Sequence, residues 1–341
     1  MKKYFLSTGF KSLSNSFFTL HFFCATFILS LVSTTILAQQ DAQFSQYMFN
    51  SLYFNPATAG SNADYTTMGI FHRSQWVNYS PTFDDGGAPS SQVGFVSMPL
   101  NRMNSGVGLH IANDRIGPLS STEIQISYAY HFSLKNKDRI SLGLRGGMYN
   151  QRIDFSQYRP NQENDPRIPN TGVENQFQPD LAVGLYYQSV KGYYVGVSTN
   201  HLLQSKFDYS TGINITSLKP HVYLMGGSSF DISPSLMLQP SAILKFTSGA
   251  LSYEGSVLLN YDNTYFGGIS ARASNNLDAG IFILGVNMLE NKDLRITYSL
   301  DLVTSGRDAK QPTSHEISIG YRLPSPKPKV LPTIRTPRFR F

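Results

Sequence analysis

Short runs in which apolar and polar residues alternate follow one another from about Gln39 to Arg322, and the clearest is 123–132. There Ile124, Ile126, Tyr128, Tyr130 and Phe132 share one face of an extended chain, while Glu123, Gln125, Ser127 and His131 share the other. One face suits lipid and the other a wet lumen. Runs of this kind, bounded by turn residues, lie near 65–74, 91–98, 105–114, 121–132, 139–150, 179–188, 192–201, 219–231, 235–247, 252–261, 264–272, 277–288, 293–302 and 314–322. They number about fourteen, an even count as a bacterial barrel requires. Isolated strands cannot sit in lipid, because their unpaired amides would have no partner. The pattern therefore predicts an all-β fold, a closed antiparallel transmembrane β-barrel over 65–322. A soluble β-sandwich is the alternative, but no linker marks the separate cores it would need.

The punctuation between runs is turn chemistry: Lys135-Asn136-Lys137-Asp138, Val190-Lys191-Gly192, Asp231-Ile232-Ser233-Pro234, Asp262-Asn263 and Glu290-Asn291-Lys292-Asp293. Short connections of this sort belong on the periplasmic side. Longer ones alternate with them at 78–90, 155–178 and 202–218, belong outside, and are long enough to form a docking surface. The acids of the longest lack the alternate spacing and mid-loop glycine of a calcium loop. Tyr128, Tyr130, Tyr186, Tyr187, Tyr193, Tyr194, Tyr261, Tyr265 and Tyr321 are expected to form the interfacial girdles.

The N-terminus carries Lys2, Lys3 and Lys11, then an apolar stretch from Phe17 to Val32, then small residues to Ala38. That is the organisation of a secretory signal peptide over 1–38; an uncleaved anchor is the alternative, but Thr19, His21 and Thr26 break the apolar core. Cys24, the only cysteine, lies within it, so the mature chain has no disulfide and no cysteine-based metal chemistry. The chain has 28 Lys and Arg against 22 Asp and Glu. Three of those bases go with the leader and five with the last nineteen residues, leaving 20 bases against 22 acids in the body. Such a body has no footprint for nucleic acid.

No motif for catalysis or for a cofactor is present: no phosphate-cradling glycine loop, no Gly-x-Ser-x-Gly elbow, no His-Glu-x-x-His. A Ser, His and acid meeting across strands would leave no local motif, so a phospholipase or protease barrel is the enzymatic alternative. His72, His110, His131, His201, His221 and His315 are spread one per strand or turn with no metal-ligand spacing, so neither a metal nor a catalytic residue is expected.

The segment 43–61, which contains Gln43, Phe44, Ser45, Gln46, Tyr47, Asn50, Asn55, Pro56 and Gly60, resembles the opening signature of the PorP/SprF family. His72-Arg73-Ser74-Gln75-Trp76, Asp114-Arg115-Ile116-Gly117-Pro118, Gln178-Pro179-Asp180-Leu181-Ala182 and 314–322 agree with it. The resemblance implies a non-enzymatic outer-membrane protein of the type IX secretion and gliding machinery of Bacteroidota. Its implied partners are outer-membrane lipid, the C-terminal domain of a secreted cargo protein, and periplasmic peptidoglycan-binding or other secretion components. Asn55-Pro56-Ala57 is also similar to the entry motif of FadL-type hydrophobic-solute transporters, but the polar lumen face formed by Arg139, Ser141, Arg145, Glu316, Ser318 and Arg322 argues against an apolar conduit.

Within an N-terminal leader or plug segment over 39–64, residues 43–61 are too rich in Asn, Gln and aromatic groups for a lipid-facing strand. They are expected either to plug the lumen, with the Asn50 and Asn55 amides meeting inward charges such as Arg145, or to lie along the periplasmic rim. The basic, proline-rich stretch 323–341 is expected to be an extended periplasmic tail, either captured by a partner or without a role.

Overall fold

The computed structural model describes residues 41–77, 87–158, 172–209, 215–305 and 312–325. The leader expected over 1–38 and the tail from 326 onward lie outside the described residues. Among those residues, fourteen antiparallel strands close into a barrel. They are β1 (Tyr65–Ser74), β2 (Ser90–Leu100), β3 (Ser105–Ile116), β4 (Leu119–Ser133), β5 (Arg139–Asp154), β6 (Val173–Gln188) and β7 (Tyr193–Asn200). The second half comprises β8 (His221–Ser228), β9 (Leu236–Thr247), β10 (Ala250–Tyr261), β11 (Tyr265–Ala273), β12 (Leu277–Met288), β13 (Leu294–Val303) and β14 (Thr313–Pro324). Each pairs with its neighbours along the chain, and β14 returns to β1 with Tyr65 opposite Pro324 and Ser74 opposite His315. Closure leaves the wall without a free edge, which is what lipid demands. An extra short strand, Phe230–Ser233, pairs with the start of β9, and a hairpin of Lys206–Asp208 with Ile215–Ser217 stands between β7 and β8.

Alternation decides which residues face lipid. In β4, Ile126 is 63% exposed while its neighbour Ser127 is fully buried, and the same period runs through Ile317, Ser318 and Ile319 of β14. No helix among the described residues is long and apolar enough to cross a membrane.

Three expectations need correction. Tyr186 and Tyr194 do not join a girdle: Tyr186 is buried, its ring lies 5.8 Å from that of Tyr194, and both lie on the lumen side of β6 and β7. The reason is the period itself, because neighbours such as Tyr186 and Tyr187, or Tyr193 and Tyr194, must point to opposite faces. The connection 155–178 is shorter than expected, since residues 173–178 already belong to β6 and pair with 149–154 of β5. The strand runs through Pro179 because β7 pairs with β6 only from Val183 onward, so the proline sits where one edge of β6 has no ladder to break. Long and short connections do not alternate evenly either: β3 passes to β4 through Gly117 and Pro118 alone, and β9 to β10 through Ser248 and Gly249.

The lumen is filled from within. Residues 41–62 enter it as three short turns of helix, Tyr47–Phe49, Ser51–Phe54 and Pro56–Thr58, and every side chain from Leu52 to Gly60 is buried. Phe44, Tyr53 and Phe54 pack edge to face with one another and against Phe71 of β1 and Tyr223 of β8, which forms the main apolar core.

Candidate functional site

The inner segment is fixed to the barrel at three places, each built from lumen-facing polar residues on alternate positions of the strands. The first is a charged cluster where β10, β11, β13, β14 and β1 face the start of the segment. Arg73 and Glu316 are direct cross-strand partners, as are Glu254 and Arg272, so the ladder itself sets these pairs side by side. Arg73 lies 2.7 Å from Asp301 and 3.3 Å from Glu316, and Arg272 lies 2.7 Å from Glu254 and 3.1 Å from Asp301. All five side chains are buried.

These ions are turned toward Ser45 and Gln46. The Glu316 carboxylate accepts the backbone N–H of Ser45 at 2.7 Å and of Gln46 at 3.1 Å. The Ser45 hydroxyl donates to Asp301 and accepts from both Arg73 and Arg272 at 2.7 Å. The Gln46 amide donates to the Glu316 carbonyl at 3.1 Å and accepts from Ser318 at 2.6 Å. An extended stretch of chain has no ladder of its own in a lumen, so the wall's side chains must satisfy its amides.

The second anchor lies on the opposite wall. Arg145 of β5 donates to the carbonyls of Leu52 and Tyr53, which the short helix leaves without partners, and to Ser127 at 3.1 Å. Asn55 caps the following turn by accepting from Ala57 N–H at 2.9 Å, while its Nδ2 donates to Leu185 and Val197 carbonyls on adjacent strands. Glycines make room for it: a Cβ at Gly184 would overlap Asn55 Oδ1, and one at Gly143 would overlap the backbone of Ala57. Gly60, at φ +62°, lies against Gly106, and its N–H donates to Ser97 at 2.8 Å.

The third anchor is at the outward end. Asp41 lies 2.8 Å from His201 Nε2 and 3.7 Å from His221 Nδ1, and it accepts from the Tyr223 hydroxyl. His201 Nδ1 lies 2.9 Å from Asp180. Burial would raise the Asp41 carboxyl, but the His221 and His201 imidazoles overrule it and hold it well below the usual carboxylate range. Burial works against charge on His201 too, and Asp41 and Asp180 outweigh it, holding the imidazole well above its ordinary value.

Of the nine candidate residues, Phe44, Ser45, Gln46, Tyr47, Asn50, Asn55, Pro56 and Gly60 are buried inside the barrel and Gln43 is half-buried. Tyr47 reaches Ser241 of β9 through its hydroxyl at 2.9 Å. The expected pairing of the Asn50 and Asn55 amides with Arg145 is not what forms. Arg145 takes main-chain carbonyls, Asn55 bridges β6 and β7, and the Asn50 side chain has no hydrogen-bond partner. The helix end accounts for this: the Leu52 and Tyr53 carbonyls, left without intrahelical partners, lie at the guanidinium and take its donors. Sequence reading missed Asp41, Asp180, Arg272, Glu254 and Asp301 as anchors. For the four on strands the available signal was their place on the polar side of each alternating run.

A closed barrel with an apolar outer face, a polar lumen and an internal segment tied to its wall by buried ions is an integral outer-membrane protein. The chain belongs to the family of type IX secretion system membrane proteins PorP/SprF, whose model matches residues 36–321. No curated protein matches it. Among solved structures, it is similar to a FadL homologue of Pseudomonas aeruginosa (TM-score 0.45, 10% identity, 78% of this chain and 92% of that one). It is also similar to the toluene transporter TodX of P. putida (TM-score 0.48, 9% identity, 82% and 95%) and to outer membrane protein Omp33 of Acinetobacter baumannii (TM-score 0.41, 8% identity, 76% and 99%). At these distances the likenesses carry nothing about what this barrel moves or binds.

Proposed function

We propose that this type IX secretion barrel is a plugged, non-enzymatic platform that holds secreted proteins at the cell surface through their C-terminal domains. The observation that carries the reading is where the lumen's charge goes. Arg73, Asp301, Glu316, Arg272 and Arg145 are all committed to residues 45–53, so the groups that would line a solute path instead hold the path's own filling in place. A FadL-like conduit would need an apolar lining at this level.

The extracellular end supports docking. The hairpin of Lys206–Asp208 with Ile215–Ser217 lies over the barrel, with Phe207, Tyr209 and Leu218 packed on Tyr149 and Phe155. The parts of the other two candidate surfaces at 78–86 and 159–171 lie outside the described residues. At the periplasmic mouth a cavity of about 680 Å³ is lined by Met48, Phe49, Asn287, Arg295 and Arg322, and it gives a periplasmic peptidoglycan-binding or other secretion component a place to engage.

Ser205 and Leu218 are joined by a backbone hydrogen bond of 3.0 Å, so residues 206–217 can be replaced by a two-residue turn without moving the flanking chain. Cells carrying that replacement should assemble the barrel yet release a surface protein into the medium. Cargo that stays attached would place docking elsewhere.

A further inference from the structure

The outward anchor holds more ligand chemistry than a latch requires. Asp41, His201 and His221 each offer one ligand atom, and these atoms lie within 4.8 Å of one another. They come from different parts of the molecule, Asp41 from the inner segment and the histidines from either side of the β7–β8 connection. Each also has a further partner. Asp180 is on Nδ1 of His201 at 2.9 Å, the Lys219 carbonyl is on Nδ1 of His221 at 3.0 Å, and the Tyr223 hydroxyl is on Asp41. Asp180 is itself fixed by Gln125 at 3.1 Å.

Those outer partners assign the protons. A carbonyl only accepts, so His221 carries its hydrogen on Nδ1 and a lone pair on Nε2. That Nε2 has no partner, although His221 is only 3% exposed. His201 lies between two carboxylates, with Nδ1 2.9 Å from Asp180 and Nε2 2.8 Å from Asp41, and a proton on each nitrogen meets one of them. Those protons satisfy His201 but leave the His221 Nε2 unsatisfied in a buried place. A divalent cation in place of the His201 Nε2 proton would keep the Asp41 charge matched and offer the His221 nitrogen a partner. Imidazole nitrogens steadied through their other nitrogen by a carboxylate or carbonyl are the usual outer shell of such a site, and two imidazoles with one carboxylate suit zinc.

We propose that Asp41, His201 and His221 bind a first-row divalent cation of the zinc class and that the ion clasps the inner segment to the β7–β8 wall. Three protein ligands leave a fourth position for water. The ion would make the seating of the segment depend on metal supply, a control independent of the charged cluster around Ser45.

The test uses the mature barrel, purified in detergent without a polyhistidine tag, stripped with chelator and titrated with zinc chloride. About one equivalent should bind with a Kd in or below the micromolar range, and cobalt(II) in its place should give visible bands of low-symmetry, four- or five-coordinate character. His221→Gln and Asp41→Asn should each weaken binding at least about tenfold, and Asp180→Asn by about 10- to 100-fold through the outer shell. Heat-dependent migration on gels reports whether each variant still forms the barrel. If the unaltered protein takes up no tight equivalent, or if the Asp41→Asn, His221→Gln double variant binds zinc as tightly as it does, the site is a proton-held latch and the proposal fails. If a variant does not assemble, the stoichiometry and cobalt spectrum of the unaltered protein decide the question alone.

Discussion

Glu316 on the last strand accepts the N–H of Ser45, 271 residues earlier in the chain, at 2.7 Å, and with its other oxygen takes the N–H of Gln46. One carboxylate thus joins the closing seam of the barrel to the segment that fills it. Arg73 of β1 pairs with the same carboxylate, so the contact sits on the seam where β1 meets β14. Closure and filling thus share one group.

Replacing Glu316 by Gln leaves Arg73 without one of its counter-charges and offers the two amides a single acceptor oxygen. Breaking a buried ion pair from one side costs about 3–5 kcal/mol. Amide hydrogen exchange across 43–49 should accelerate by about a hundredfold or more, at 1.4 kcal/mol per decade, while protection in the wall strands stays unchanged. Equal protection in the variant would show that the carboxylate does not hold the segment.

Gly143→Val should separate the barrel from its filling. A Cβ at this lumen-facing position would meet the Ala57 backbone, which has no slack to give, whereas the lipid-facing Gly255 has open space around its would-be Cβ. The expected result is a barrel that inserts normally but conducts ions in planar bilayers, with Gly255→Val remaining silent. Two silent variants would mean that the segment can shift without opening a path.

The strands could be read from the sequence because their signal is local: Ile126 and Ser127 announce opposite faces within two residues. The inner segment could be read from its Asn, Gln and aromatic content, but its partners could not. The contact of Ser45 with Glu316 depends on closure of the whole ring, and His201 and His221, twenty positions apart, come together because Asn200 and His221 are cross-strand neighbours. Sequence spacing finds ligands on one helix or loop and is blind to ligands on adjacent strands. The extension of β6 back to Val173, through Pro179, is likewise invisible locally, because a proline's effect depends on which edge of the strand carries a partner.

The lipid face gives a prediction independent of the lumen. Ile126 is exposed near the middle of β4, with Gly146 opposite it on β5. Ile126→Arg places a charge in the hydrocarbon and should destabilise the barrel by about 2–4 kcal/mol, read from urea unfolding in lipid vesicles. Ser127→Ala, one residue along and facing inward, removes only a partner of Arg145 and should cost far less. A reversed order would put the membrane face on the wrong side of β4.

Asn55 performs two tasks that substitution can pull apart. Its Oδ1 caps the turn over Pro56–Thr58, and its Nδ2 donates to Leu185 at 3.1 Å and Val197 at 3.3 Å, tying that turn to two strands at once. Asn55→Ser keeps a capping oxygen and loses the bridge. Asn55→Asp keeps the cap and sets a carboxylate against two carbonyl oxygens in a site with no exposed surface. Leaving buried acceptors unpaired costs about 1–3 kcal/mol, and more where a charge is buried with them. The aspartate variant should therefore be the worse of the two. The near-ultraviolet circular dichroism from the packed Tyr53 and Phe54 rings should melt at the lowest temperature in Asn55→Asp, at an intermediate one in Asn55→Ser and highest in the unaltered protein, with the strand signal melting later in all three. An aspartate variant as stable as the unaltered protein would show that the bridge to β6 and β7 contributes nothing.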